Sequence, residues 1–534
     1  GKKVTVLVNL APRKLRGVES EGMILMTENA EGKLVFVNPD EATPDNGATI
    51  NWLKMTKRIL LLLLVALPLF SFGQKKFLEI NNDIKKGGRD VKASYPIINN
   101  ETGEFALFLD DNKRIYGFLY DKDKNLIEKI VTEGLPKRYN EIIGYSIDSK
   151  KIRLFLKNKN NKTFGSVLFD FDTGQTAETI YDFKLKDEIY LEGYNNNQIF
   201  YLITISKGSN NLNFYVFQEN QEFAKKTVNI SSKYFSNEKS LQKELSEIML
   251  EKSSLGSYGN IDVGKIDVDS PNALESTSKS VKIYPENDGF VLTIDSDSWV
   301  YIIDFSTPSL EYELNSFSKP VIPNLHANSN SFILENRIYM VSATKSQMKF
   351  MVKDMETGQE LKTIDLNKEE EISFKNTPII QEGGMSDGYR EMEKTSKFLR
   401  QLANQSIGIS VNPSEENYVI TIGSQIRIGG VAPMPIPGFG GVPVAGIDGF
   451  IISFNPTFMA YGNYKFTKAT RIECLFDKDY AHIPGKIPEN VFDRINTLAE
   501  KVVFPDAENV FKIDGKYIWG YYNNPANKFL SFEF

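Results

Sequence analysis

The chain has 534 residues, a length that suggests roughly two to four domains. Hydrophobic residues make up 41% and charged residues 25%, which is ordinary for globular protein with an ample core, and the net charge of −6 argues against a broad nucleic-acid surface outside the first domain. One cysteine, Cys474, excludes an intrachain disulfide and a thiolate-rich zinc site; two distant histidines, His326 and His482, argue against a histidine-rich metal site and allow at most one Ser-His-Asp arrangement.

The chain opens with short strand patterns. Val4 to Val8 reads as a strand ended by Ala11-Pro12, and a basic loop follows with Arg13, Lys14 and Arg16. Met23 to Met26 and Leu34 to Val37 read as two more strands, with Asn29 to Gly32 as the turn between them. The run Asn9-Leu-Ala-Pro-Arg-Lys-Leu-Arg-Gly-Val-Glu-Ser-Glu-Gly-Met23 is long and specific. With it, residues 1–50 resemble the second half of the C-terminal tRNA-binding domain of bacterial methionyl-tRNA synthetases, an OB-fold module. The resemblance implies tRNA as partner and Asn9, Arg13, Lys14, Arg16, Ser20 and Met23 as the contacting residues. Basic side chains there would neutralise phosphate, and a barrel face would offer a surface for exposed bases. The match covers about half of such a domain. A partial barrel leaves an open edge, so weak or no tRNA binding by the segment alone is expected. The family's aminoacylation motifs are not seen, so methionine–tRNA ligase activity is not expected.

Residues 51–54 form a junction. Residues 55–73 have the parts of a signal peptide. Met55 is a start, Lys57 and Arg58 are the positive region, and Ile59 to Phe70 are the apolar region. Ser71 and Gly73 place small residues before a cleavage point between Gly73 and Gln74. The apolar run is too short for a comfortable transmembrane helix, so no stable membrane span is expected after cleavage. A signal beginning at residue 55 suggests two neighbouring reading frames joined in one chain. The first 50 residues are then cytoplasmic by resemblance, and residues 74–534 periplasmic, surface-exposed or secreted.

Beyond residue 74 the pattern repeats. Six segments, starting at Gly117, Ser166, Asn213, Trp299, Lys349 and Gly449, each read as strand, polar turn and second strand. Most starts lie one or two steps of about 50 residues apart, the period of a β-propeller blade. Asp170 to Gln175 and Asp354 to Gln359 share an Asp-x-x-Thr-Gly-Gln turn suited to a blade's outer hairpin. Ser240 to Lys252 and Met385 to Gln405 have helical spacing and read as insertions, near 236–280 and 383–405. The fold class expected is mainly β: a partial OB segment followed by a propeller of about six to eight blades with two helical insertions on one face. Residues 527–534 are expected to complete a first blade begun by residues 76–95.

Chemical motifs are few. Asp121 to Asn125 alternates oxygen ligands as a calcium loop does, but Leu126 and Thr132 stand where Gly and Glu are needed, so it reads as a hairpin turn. Asp295 to Ser298 reads equally as a turn. The Gly/Pro-rich stretch 428–446 lacks the features of a phosphate loop and reads as a partner-contacting or packed hairpin extension. Cys474 lies in a strand pattern as a buried thiol, and both histidines read as structural. No catalytic residue, metal or cofactor is assigned. The propeller is expected to be of binding type, with an unknown protein or glycan as partner. The alternative is a hydrolase or lyase with carboxylates in its central channel.

Overall fold

The computed structural model describes six short strands between residues 6 and 36, and residues 75–534 apart from 100, 197–198, 218–222, 232–242, 252–259, 324–325, 383–388, 426–450 and 504. It divides into two compact units, Gly1–Gly73 and Gln74–Phe534. In the first, Val6–Leu7 pairs with Met23–Ile24, Arg13–Leu15 with Val18–Ser20, and Met26–Glu28 with Leu34–Phe36, all antiparallel. The expected basic loop is therefore strand over Arg13–Leu15, because residues 13–15 and 18–20 form a ladder. The signal segment 55–73, the cleavage residues Gly73 and Gln74, and the Gly/Pro stretch 428–446 lie outside the described residues.

The second unit is a seven-bladed β-propeller. Blades one to five are consecutive four-stranded meanders spanning 93–133, 141–181, 188–229, 281–318 and 328–367. In blade one the strands are Ala93–Ile98, Phe105–Asp110, Arg114–Tyr120 and Leu126–Glu133. The first two strands of a blade are mostly buried and the fourth is mostly exposed, as in Gln175–Tyr181 and Phe223–Asn229. The first strand is thus the inner one. Both Asp-x-x-Thr-Gly-Gln turns join third to fourth strands, with Gly174 and Gly358 at φ of 69° and 70°. Asp170 and Asp354 each accept two backbone N–H groups of the turn. Asp121 to Asn125 is likewise the third turn of blade one, closed by Asn125 N–H to Asp121 Oδ1 at 2.8 Å.

Blades six and seven depart from the simple meander. Blade six runs Ser406–Ser414, Asn417–Gln425, Ala469–Phe476, and then back to Ile379–Gln381, which precedes the other three in the chain. Blade seven runs Asp506–Ile513, Lys516–Asn523 and Lys528–Glu533, and its outer strand is Lys75–Asn81. The expected pairing of the chain end with residues after 76 is present, but it uses only 75–81. Residues 93–98 begin the next blade, since they pair antiparallel with Phe105–Asp110. Ser94 Oγ donates to Ala507 O and Asn509 Nδ2 donates to Ser94 O, both at 2.9 Å, across the seam between blades seven and one. The segment starting at Gly449 is not a blade hairpin. Ile451–Ile452 is a short inserted strand and Pro456–Lys465 is a helix.

Apolar layers fill each gap in the ring. Leu107, Tyr116 and Tyr522 pack between blades seven and one, and Phe108, Leu154 and Phe169 between one and two. Phe155, Phe200 and Phe217 fill the gap between blades two and three. Helix Val491–Ala499 and helix Pro456–Lys465 pack on Trp519 and Tyr521 of blade seven. Cys474 is fully buried, its thiol pushed above its ordinary range by burial. His482 Nε2 lies 3.0 Å from Asn376 Oδ1, whereas His326 is exposed in the crossover from blade four to five and is not packed as expected.

A charged triad lies between blades four and five. Lys282 Nζ is 2.7 Å from Asp295 Oδ2, and Lys319 Nζ is 2.8 Å from Asp295 Oδ1. Lys279 O and Asn330 Oδ1 take the other protons of Lys282; Ser296 O and Ser329 Oγ take those of Lys319. Asp295 is therefore more than the expected turn residue. Burial alone would raise its pKa, but the two ammonium groups hold it below the ordinary carboxylate range. Asp295→Asn should cost roughly 3–5 kcal/mol in denaturant unfolding, because it leaves two buried ammonium groups without a counter-ion.

The closing seam carries a second acid. Asp110 is buried, with Tyr95 O–H at 2.8 Å and Asn112 N–H at 2.7 Å. Burial outweighs these donors and pushes its pKa up to about 6 from 3.8. A folded pKa above the unfolded one means that the native state holds this proton more tightly. The stability it contributes is complete below pH 3.8 and is lost as pH rises through about 6. Asp110→Asn should remove that slope, on the order of 3 kcal/mol between pH 7 and pH 4. Urea unfolding of both proteins across that range checks it.

Candidate functional site

Two regions hold candidate residues. In the first unit, Arg13 stands opposite Ser20 and Lys14 opposite Glu19 in the hairpin ladder, and Met23 stands opposite Leu7 in another. The ladder thus brings Arg13 and Ser20 to paired positions. Met23 is not in that ladder, and Asn9 and Arg16 lie outside the described residues.

The second region is the centre of the propeller. Two insertions reach it, one between blades three and four and one within blade six. Val263–Lys265 of the first adds parallel to the inner strand of blade four. Ile451–Ile452 of the second adds parallel to the inner strand of blade two. Parallel pairing means that each insertion enters the ring in the direction of the inner strands. Each then turns back: the first through helix Leu274–Thr277, which packs on blade six, and the second through helix Pro456–Lys465, which packs on blade seven. Asn455 caps the latter helix by accepting Phe458 N–H, and Pro456 fits its first turn.

Lys265 ties these pieces together. Its ammonium donates to Gly193 O of blade three at 3.0 Å and to Ser453 O of the other insertion at 2.9 Å. Glu192 Oε1 lies 3.2 Å away. Glu192 also accepts Gly193 N–H at 2.9 Å and faces the Tyr190 hydroxyl at 3.4 Å. The Lys157 ammonium sits 5.0 Å over the Tyr190 ring and 2.5 Å from Glu141.

Asp267 makes a second junction. Its Oδ1 is 2.8 Å from Lys512 Nζ of blade seven. Its Oδ2 accepts Ser270 Oγ at 2.6 Å and Thr457 Oγ1 of the other insertion at 2.7 Å. Burial works against the Lys512 ammonium, yet Asp267, Tyr517 and Asp269 outweigh it and hold its pKa above the ordinary lysine value. Glu508 accepts Lys465 at 3.1 Å and Trp519 Nε1 at 3.2 Å, and burial raises its pKa. Burial likewise raises Glu275, whose carboxylate accepts Lys468 N–H at 2.5 Å and the Thr467 hydroxyl at 3.1 Å.

Glu192, Asp267 and Glu508 each face a lysine, and backbone and hydroxyl groups hold Glu275. Chemically this is a set of mutually satisfied ion pairs that fixes two insertions inside a ring. Lys265→Met should cost roughly 3–5 kcal/mol by stranding Glu192, and adding Glu192→Leu should restore part of that loss. Equal losses in the single and double variants would rule out the pairing.

Comparisons with known proteins bear mainly on the first unit. Residues 1–47 match the family described as "Putative tRNA binding domain". The methionine–tRNA ligase of Christiangramia forsetii is 84% identical over 51 residues, which is 10% of this chain and 7% of that protein. The enzyme of Flavobacterium johnsoniae is 78% identical over 51 residues, again 10% and 7%. The chain therefore spans a small part of these relatives. Among solved structures, the N-terminal domain of Nup159 is 10% identical, with 86% of this chain and 93% of that one covered and a TM-score of 0.29. A Synechocystis apocarotenoid oxygenase variant is 8% identical, with 53% and 64% covered and a TM-score of 0.25. The propeller assignment rests on strand pairing rather than on these likenesses.

Proposed function

We propose that the chain joins two pieces with separate roles: a tRNA-binding segment at residues 1–47 and an extracytoplasmic binding propeller at 74–534, preceded by an export signal at 55–73. The observation that carries this reading is the position of the boundary. The second compact unit begins at Gln74, the residue expected to follow signal cleavage, and the propeller's closing strand begins at Lys75. Cleavage after Gly73 would leave every blade strand in the exported product.

For the first piece, the match to a tRNA-binding domain supports tRNA as its partner. Part of a barrel offers fewer phosphate contacts than the whole, so weak and salt-sensitive binding is expected. Ligase activity is a property of much longer relatives and is not carried over. For the propeller, a hydrolase or lyase reading would use the central carboxylates. Their matched lysines favour a structural role for them and a binding role for the surface.

Expression from Met55 in a Gram-negative host, followed by N-terminal sequencing, tests the second piece. The expected product is exported and starts at Gln74; a cytosolic product that keeps residues 55–73 would overturn the reading. A gel-shift titration of the full chain with bulk tRNA tests the first. Weak binding that Arg13→Glu with Lys14→Glu abolishes is expected. Binding indifferent to those changes would remove tRNA contact from this hairpin.

A further inference from the structure

The propeller's topology sorts its loops onto two faces, and the two faces differ in charge. Crossovers between blades and second-to-third connections lie where the inner strands begin; the remaining hairpins lie on the opposite face. Backbone bonds tie neighbouring loops of the crossover face to one another. Lys207 N–H donates to Asp187 O at 2.8 Å, Gly134 N–H to Lys113 O at 2.7 Å, and Asn140 N–H to Lys157 O at 3.1 Å.

On this face, blades one to three expose Lys113, Lys137, Lys159, Lys162, Lys184 and Lys207. None of the six is among the ion pairs of the described residues, although many other lysines of the propeller are paired. Asp182 and Asp187 are acids on the same loops, too few to cancel the arc. The hairpin face is richer in acids: Glu101, Asp172, Glu286, Glu335, Glu356 and Glu415 are exposed there, beside Lys122 and Lys151. In a chain of net charge −6, the lysine arc is a local reversal of sign and not the general character of the surface.

Aromatic rings stand beside the arc. Phe183, next to Lys184, is half-buried and stacks on Tyr215 with centroids 4.6 Å apart. Tyr190 is half-buried under the Lys157 ammonium. Phe183 also stacks on Phe164, with centroids 5.1 Å apart, so these rings serve to stiffen the loops that carry the lysines. Lysines spread over five loops suit a polymer that engages several at once better than a small anion. The exposed apolar side chain nearest the arc, Ile180, is a single residue on an outer strand, which does not suit insertion into a bilayer.

We propose that the crossover face of blades one to three binds an acidic polysaccharide of the polyuronate class. The choice of a polyuronate over nucleic acid rests on the extracytoplasmic reading above; the arc itself does not.

The test is affinity electrophoresis of the purified full chain in native gels containing polygalacturonate. Retardation that weakens with added salt is expected, with an affinity loss of roughly tenfold or more in a Lys137→Glu, Lys159→Glu, Lys162→Glu variant. These residues are exposed and unpaired, so the variant should keep the parent's melting temperature. Lys122→Glu with Lys124→Glu on the hairpin face should leave retardation unchanged. No retardation, or retardation indifferent to the triple reversal, would overturn the proposal. So would tighter binding, through the same lysines, to phosphatidylglycerol vesicles or to tRNA. A cytosolic product in the export experiment together with full, arc-dependent polygalacturonate binding would sink the compartment and leave the arc standing.

Discussion

Much of the propeller's interior depends on where one ammonium group finds its acceptors. Lys265 touches blade three through Gly193 O and Glu192, and touches the other insertion through Ser453 O. Its own strand extends blade four, and Ile451–Ile452, just before Ser453, extends blade two. Inner strands of a ring present a free edge toward the axis, and free edges need partners. Here two blades receive an inserted strand on that edge, and one lysine braces the insertions against each other. Asp267 repeats the device with Thr457 and Lys512. Buried ion pairs contribute little net stability but penalise every arrangement that separates the partners. They suit a role of holding long insertions in one conformation.

The same constraint bears on function. Among the described residues, Lys265, Asp267 and Lys465 of the two insertions are matched by Glu192, Lys512 and Glu508 of the ring. Glu508 and Glu275 have raised pKa values, but lysine, indole or backbone donors occupy them. The unmatched charge of blades one to three lies instead on the loops, where rigid blades below hold it in place.

Legibility in the sequence followed the range of the interactions. Local features read correctly: the two Thr-Gly-Gln turns, the Asp121 hairpin, the blade period over five blades, and helices within Ser240 to Lys252 and Met385 to Gln405. The turns and helices depend on residues a few positions apart, and the period on repeating such local units. The tRNA-binding segment was legible because a fifteen-residue pattern is specific without any fold. What failed was non-local. Ile379–Gln381 joins blade six from upstream of its partners, and no periodic signal announces an outer strand that comes first. Gly449 to Phe458 looked like another strand-turn-strand because it alternates apolar and polar residues. Its helix start was nonetheless written in Asn455-Pro456, a capping residue followed by the residue favoured at the first helical position. Asn490 with Asp493 likewise forms a capping box ahead of Val491–Ala499, a helix also missed. The plug was invisible for a different reason. Lys265, Glu192 and Ser453 are far apart in sequence and unremarkable one by one, and only the ring brings them together.

The closing strand links the architecture to the junction upstream of it. Lys75–Asn81 supplies the outer strand of blade seven, so the ring closes only when the first and last strands of the propeller meet. Phe529 sits opposite Ile80, and Leu530 opposite Glu79, on a strand that the remainder of blade seven has already buried on its other side. Blade seven lacks its outermost strand pairing until residues 75–81 and 528–533 meet. Closure of the ring therefore requires the last strand of the chain to pair with Lys75–Asn81. The donors around Asn82, Ser94 and Asn524 that lock the seam can act only after that point.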